Sequence, residues 1–238
     1  MRYFLLSILL ITVHLTFANP PDTLDHFPVY RVENGAPTFY RQISETLKYP
    51  RSARQRGTIG TAVVSFLLSP SGAISDFNIV NSIGETIDQE IIEAFQETAD
   101  LWLPDCLEEN NYILFFPVIF LIDEITFTQT KHEAGFMLEK IMVTGYSGGG
   151  RNFKDDKHYS DKAIELYQKK DYKKAIQPLD ELIRRNPFNE ELYKMRGYCR
   201  YANNDRSGAC EDYQKIQTLL HKLIPPAARN ICFGSENK

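Results

Sequence analysis

The run YILFFPVIFLI, from Tyr112 to Ile122, constrains the fold more than any other part of the chain. It is apolar and rich in β-branched and aromatic residues, which predicts a strand. Pro117 lies inside it. A proline has no N–H to give to a ladder, so strands that carry one sit at sheet edges or bulges, or begin there. The reading is an edge strand, and an apolar edge invites association unless something covers it. A chain built around this run asks for a segment to pair with it.

The residues before the run supply a sheet for it. TAVVSFLL, residues 61–68, is bounded by Gly60 and Pro70 and predicts a strand, with Gly72 in the following turn. A return strand over residues 73–81 alternates Ile74, Asp76, Asn78 and Val80 against Ser75, Phe77 and Ile79, which suits a sheet with one covered face. The cover is a helix over residues 88 to about 101. Ile87, Ile91, Ile92, Phe95 and Ala99 line one side of it, and Asp88, Glu90, Glu93 and Glu97 the other. Its early acids complement the helix dipole, and Trp102-Leu103-Pro104 ends it. Upstream, Thr38 is the expected N-cap of a helix with Phe39, Ile43 and Leu47 at helical spacing, stopped by Tyr49-Pro50. Arg51, Arg54 and Arg56 then form a short basic turn closed by Gly57. The fold class is α+β, a small antiparallel three-stranded sheet packed on helices.

The N-terminus has the grammar of export. Arg2 precedes an apolar run, and Ala18 stands just before Asn19-Pro20-Pro21, so residues 1–18 read as a cleavable signal peptide and the chain as periplasmic. The apolar run is shorter than the roughly 20 residues that span a bilayer. An uncleaved inner-membrane anchor facing the periplasm is the alternative. Residues 19–44 are a Pro-rich lead-in with one expected edge strand at residues 29–33, ahead of the Asn34-Gly35 turn. The net charge of −4 gives no general attraction to nucleic acid. Between Gly57 and Thr130 there is no Lys or Arg, a pattern that reads as a solvated acidic face and its loops, with a partner of basic surface as the alternative.

Tyr49-Pro50, Ala53, Gly57, Gly60, Phe66, Gly72, Ile74, Val80, Ser82, Gly84, Asp88-Gln89-Glu90, Ala94, Trp102-Leu103-Pro104, Pro117 and Phe120 stand in an order and spacing that resemble the C-terminal domain of TonB-type energy transducers. The resemblance covers residues 45–122. It implies a periplasmic protein-binding domain that grips segments of outer-membrane transporters by strand addition at its sheet edge. Carried over by position, that edge is the final strand, with Ile113, Phe115, Phe116, Pro117, Val118, Ile119 and Phe120 at the contact. Each backbone hydrogen bond of such pairing contributes about 1 kcal/mol net, and ordering each ligand residue costs about 1–2 kcal/mol. Affinity is therefore expected from side chains over the sheet, Phe115, Phe116, Ile119 and Phe120. A short lead-in after a cleaved signal departs from a transducer, which needs an anchor and a long spacer. The expected role is a periplasmic binding module; a membrane-anchored transducer for outer-membrane transport is the alternative.

Residues 123–158 read as a linker with a strand-like insert, FMLEKIMVTGYS, followed by Gly148-Gly149-Gly150. LEKIMVTGYS resembles the segment that precedes the plug in starch-utilisation-type outer-membrane receptors. The segment that begins at Leu138 and ends at Tyr146 is therefore expected either to occupy this chain's own sheet edge until displaced or to form a hairpin that covers it.

Residues 159–232 carry a helical period and an internal repeat. Ala163 and Gly197 lie 34 residues apart, as do Ala175 and Ala209, and Asn186-Pro187 closes the first unit. This resembles tetratricopeptide repeats, an all-α scaffold for a second protein partner. Leu166, Tyr172, Leu179, Leu182 and Ile183, then Tyr193, Tyr198, Tyr213 and Ile216, are its expected core, and residues 225–232 its cap. An exported chain with four Cys invites disulfides. Cys210 with Cys232 would close a loop of about twenty residues and stabilise by roughly 3 kcal/mol. Cys199 with Cys210 is the rival, and Cys106 is expected free. The five His are scattered and no nucleophile–base pairing can be argued, so no catalytic, metal or cofactor residue and no small-molecule substrate is assigned. The Gly148-Gly149-Gly150 run lacks a following Lys-Ser/Thr, which argues against a phosphate loop.

Overall fold

A computed structural model describes residues 35–103, 111–122, 140–145, 154–220 and 222–233. The expected signal peptide, the strand at residues 29–33 and Cys106 lie outside them. The first helices are α1 (Ala36–Thr46) and α2 (Arg51–Arg56), followed by β1 (Gly60–Leu68), β2 (Ile74–Asn81) and α3 (Glu85–Gln96). After a 3₁₀ turn (Ala99–Leu101) come β3 (Tyr112–Ile122) and β4 (Ile141–Gly145). The chain continues through α4 (Asp156–Gln168), α5 (Tyr172–Arg185), α6 (Glu190–Ala202), α7 (Arg206–Thr218) and α8 (Pro226–Phe233).

The sheet has the order β2-β1-β3-β4. β1 runs antiparallel to both β2 and β3, and β4 runs parallel to β3. The expectation of three antiparallel strands is thus corrected to four, and β3 is not the edge along residues 118–122. Pro117 pairs with Val63 of β1, and the ladder to β4 begins at Val118, one residue past the proline. The missing N–H limits where the fourth strand can start and does not leave the whole of β3 at the margin.

One face of the sheet carries Ala62, Val64, Phe66 and Leu68 of β1 with Leu114, Phe116, Val118 and Phe120 of β3. Against them pack Phe39, Ile43 and Leu47 from α1, Ile87, Ile91, Ala94 and Phe95 from α3, and Trp102. Phe116 is the hub, stacked on Phe66 at 5.5 Å and edge-on to Phe95 at 5.0 Å. Offset and edge-to-face pairs of this kind add about 0.5–1.5 kcal/mol beyond burial.

The opposite face is covered as well, contrary to the expectation of one covered face. Val63 and Val80 join Ile183, Phe188, Ile216, Leu219, Leu220 and Ile224 in a second core, with Phe115 packed against it. Alternation along β1 makes this inevitable once helices arrive, because Val63 points away from Ala62 and Val64 and is as apolar as they are.

Smaller corrections have local causes. α1 begins at Ala36 after Gly35, with Pro37 in its first turn, so Thr38 lies inside the helix and is not its cap. Proline's fixed φ suits that first turn. α3 ends at Gln96, where Thr98 donates its hydroxyl to the Phe95 carbonyl, and Ala99 is exposed while Ala94 takes the buried position. α4 starts at Asp156, earlier than expected, with the Asp155 carboxylate accepting from the His158 N–H.

The five later helices pack consecutively, and α4 and α6 begin 34 residues apart, as do α5 and α7. The small residues serve close approach: a Cβ on Gly197 would meet the Tyr213 ring at 3.0 Å. Leu179, Leu182, Ile183, Tyr193, Tyr213 and Ile216 are buried, whereas Leu166 and Tyr172 are half-buried and Tyr198 is exposed.

Candidate functional site: the fourth strand and its cleft

β4 lies along β3 in register, Ile141 opposite Val118 and Gly145 opposite Ile122. Its side chains alternate as a strand requires. Ile141 is buried in the first core and Val143 packs against it, while Met142 is 59% exposed and Thr144 is exposed. A cleft of about 430 Å³ runs between β4 and the α1–α2 junction, lined by Ser44, Leu47, Lys48, Tyr49 and Arg54 on the helical side.

Tyr49 forms the end wall of the cleft. Its hydroxyl donates to the Thr58 carbonyl, and its ring meets Phe120 edge-on at 5.2 Å and 81°. Burial pushes its phenol up to about 12, against the opposing pull of Arg184 and Arg54. Thr58 is held in turn by its N–H bond to Ala53 at the left-handed cap formed by Gly57. Gly145 fits against this ring because it has no side chain: a Cβ there would lie 2.7 Å from Tyr49 Cδ1 and 3.0 Å from Arg54 Cδ.

The expected contact residues divide between the two faces of β3. Phe116, Val118 and Phe120 are buried in the first core, Pro117 and Ile119 are buried, and Ile113 and Phe115 are half-buried. Phe116 and Phe120 are packed in the first core, Phe115 packs against the second and Ile119 is buried, so with β4 in place these side chains face the interior of the fold.

The helices are tied to the other face by polar contacts as well as by the second core. Thr61 Oγ1 donates to the Arg185 carbonyl at 2.7 Å, and within the sheet Asn81 Nδ2 donates to the Thr61 carbonyl at 2.7 Å. Lys215 Nζ donates to the Val80 carbonyl, and burial depresses its pKa. Gly60 sits so close that a Cβ would fall 2.6 Å from the Arg184 carbonyl oxygen, and its φ of +152° already excludes most side chains.

The helical array has its own concavity, a groove of about 890 Å³ lined by Tyr167, Met195, Tyr198, Tyr201, Tyr213 and Ile231 among others. Asp212, buried in α7, is held by Arg196 and Arg200. Cys210 and Cys232 lie with Cα atoms 5.2 Å apart and their sulfurs within bonding reach, and Cys199 is buried apart from them. Among the described residues no group of three His, Cys, Asp or Glu could hold a metal ion, and no helix is long and apolar enough to cross a membrane.

A four-stranded mixed sheet with helices packed on it and the short strand β4 at its margin is the frame that holds this cleft. Residues 45–120 match the family described as Gram-negative bacterial TonB protein C-terminal, a family of non-enzymatic, periplasmic interaction domains. The match spans less than half of the chain, and it is residues 45–120 that form a domain of the TonB C-terminal type. The chain is also similar to a solution structure of the Helicobacter pylori TonB C-terminal domain, residues 194–285. The identity is 25% over 35% of this chain and 88% of that one, with a TM-score of 0.29. A longer form, residues 179–285, shows 24% identity over 42% of this chain and 83% of that one, with a TM-score of 0.32. No curated protein matches the chain.

Tyr49 and Gly145 were both visible in the sequence, one in the Tyr49-Pro50 motif and one in the VTGYS insert, but nothing in their spacing joins them. Only the parallel placement of β4 does.

Proposed function

We propose that this chain is a periplasmic protein-binding module that takes up extended segments of partner proteins, outer-membrane transporters foremost, by strand addition along residues 118–122 of β3. The observation that carries the reading is β4. Within a domain of the TonB C-terminal type, a five-residue strand of the chain itself lies parallel on the outer side of β3. Parallel ladders are slightly weaker per residue than antiparallel ones. Backbone pairing at about 1 kcal/mol per bond roughly cancels the cost of ordering the strand. A strand held on such terms is exchangeable, and β4 acts as an internal occupant that an incoming segment replaces.

The helices α4 to α8 act as a tetratricopeptide-like scaffold whose Tyr-lined groove serves a second protein partner, and the bond between Cys210 and Cys232 fastens α8 to α7 in the oxidising periplasm. A non-reducing peptide map that finds Cys210 joined to Cys199 instead would remove that fastening.

Deleting residues 138–146 tests the main reading. Affinity for peptides from the region preceding a transporter plug should rise in the deleted chain; unchanged affinity would sink internal occupancy.

A further inference from the structure

The seat of β4 is built to read sequence, and not only to offer a ladder. At the position opposite Val118 the fourth strand places Ile141 in the core, and opposite Phe120 it packs Val143 against the same core. Opposite Ile119 and Leu121 it presents Met142 and Thr144 to solvent. Opposite Ile122 comes Gly145, and here the seat has no room. A Cβ at that point would lie 2.7 and 3.1 Å from two atoms of the Tyr49 ring and 3.0 Å from Arg54 Cδ.

Tyr49 is not free to give way. Its hydroxyl is bonded to the Thr58 carbonyl at one end, and its ring is braced on Phe120, itself wholly buried, at the other. Arg54, by contrast, is a flexible chain that can move aside, so the ring decides the matter. Gly145 does not have the positive φ that would favour glycine for backbone reasons. The demand is for space alone, and any L-residue could adopt the backbone but not the volume.

From this we infer that the sheet edge selects its partner by a pattern, an extended segment running parallel to β3 that reads apolar, any, apolar, any, glycine, with Tyr49 enforcing the glycine. The inference rests on strand addition at β3 and names the segment that would take β4's place there. The two apolar positions supply burial that the ladder lacks, as Ile141 does in the core and Val143 against it. The glycine sets the register, because a slip of one residue would bring a side chain against the ring and turn the apolar pair to solvent.

The test uses the whole chain. Gly145→Val should expel β4 and speed amide exchange at residues 118–122, and adding Tyr49→Ala should restore protection; protection unchanged by Gly145→Val would overturn the inference. The Gly145→Val chain is then titrated with a synthetic peptide of sequence LEKIMVTGY and with the same peptide carrying valine for glycine. Overpacking of one buried side chain predicts that the valine peptide binds weaker by about tenfold or more. Equal binding would overturn the role of Tyr49 and leave strand addition standing. Failure of both peptides to bind the exposed edge would overturn strand addition and the inference with it. The unaltered chain, titrated at peptide excess against its own β4, should show the same preference, so the result does not depend on the variant folding.

Discussion

Two parts of this chain are laid against its sheet, and they are held in opposite ways. The helical array covers a face. It contributes Ile183, Phe188, Ile216, Leu219, Leu220 and Ile224 to a core shared with Val63 and Val80, and bonds Thr61 and Val80 through buried polar groups. β4 covers an edge with five residues, of which Ile141 joins the core. A face contact draws on side-chain burial, which accumulates with area; an edge contact draws on backbone bonds whose net worth is small. The array is therefore part of the domain's stability, and the proposal makes the fourth strand its exchangeable part.

The strongest way to break that contrast is at the shared core. Ile216→Ala should cost about 2–5 kcal/mol, as for other buried aliphatic truncations. The more telling expectation concerns cooperativity. Trp102, the single tryptophan, reports on the sheet side, and helical circular dichroism reports mainly on the array. In urea the two signals should change together in the unaltered chain; well-separated midpoints would show that the face contact is not structural.

Gly60 probes the same interface from the backbone. Gly60→Ala places a methyl 2.6 Å from the Arg184 carbonyl oxygen at a φ of +152°. Strain and overpacking together predict a loss of about 2–4 kcal/mol in denaturant titration. A loss under about 0.5 kcal/mol would mean that the array does not press on β1.

The edge should respond on another scale. Ile141→Asp removes the buried aliphatic side chain of β4, and if β4 is exchangeable as proposed, global stability should fall by no more than about 1–2 kcal/mol, an aliphatic chain's burial less what the freed strand regains in entropy. Amide exchange at residues 118–122 should rise far more than exchange in β1. Equal acceleration in both strands would show that β4 is as integral as the array.

How much of this was legible depends on range. The bounds of β3 were readable to the residue and those of β1 and β2 to within one, because alternation and Gly or Pro punctuation are local signals. The 34-residue offset reappears in the starts of α4 and α6 and of α5 and α7, while helix bounds such as the one capped by Asp155 do not follow from it. What could not be read were contacts that local sequence does not encode. Val63 stands in an apolar run that does not say what covers it; it joins Ile183, Ile216 and their neighbours because the helix that ends at Arg185, 124 residues from Thr61, and the helices after it return to the sheet. Pro117 was a sound signal given too wide a meaning, since it limits the ladder at one residue while β4 pairs with the next. Tyr49 and Gly145 each stood in a recognisable motif, and only their juxtaposition gives the site a chemistry.

The smallest effect comes from pH and separates the two regions once more. The Tyr49 phenol is raised by burial to about 12, against about 10 in an unfolded chain. Between those values the unfolded chain has released a proton that the folded chain keeps, so the stabilisation tied to this group is complete below about pH 10 and is lost as pH rises toward about 12. Tyr193, more deeply buried in the array, is raised further by the same cause. Denaturant midpoints measured from about pH 9 to about pH 11 should therefore fall in the unaltered chain. The fall should be slightly shallower in Tyr49→Phe and clearly shallower in Tyr193→Phe, because Tyr49 is only half enclosed and part of its shift is screened by solvent. If Tyr49→Phe followed the unaltered chain throughout while exchange at residues 118–122 stayed slow, the phenol would be open to water and the cleft at the fourth strand would have a looser end wall than the ring geometry requires.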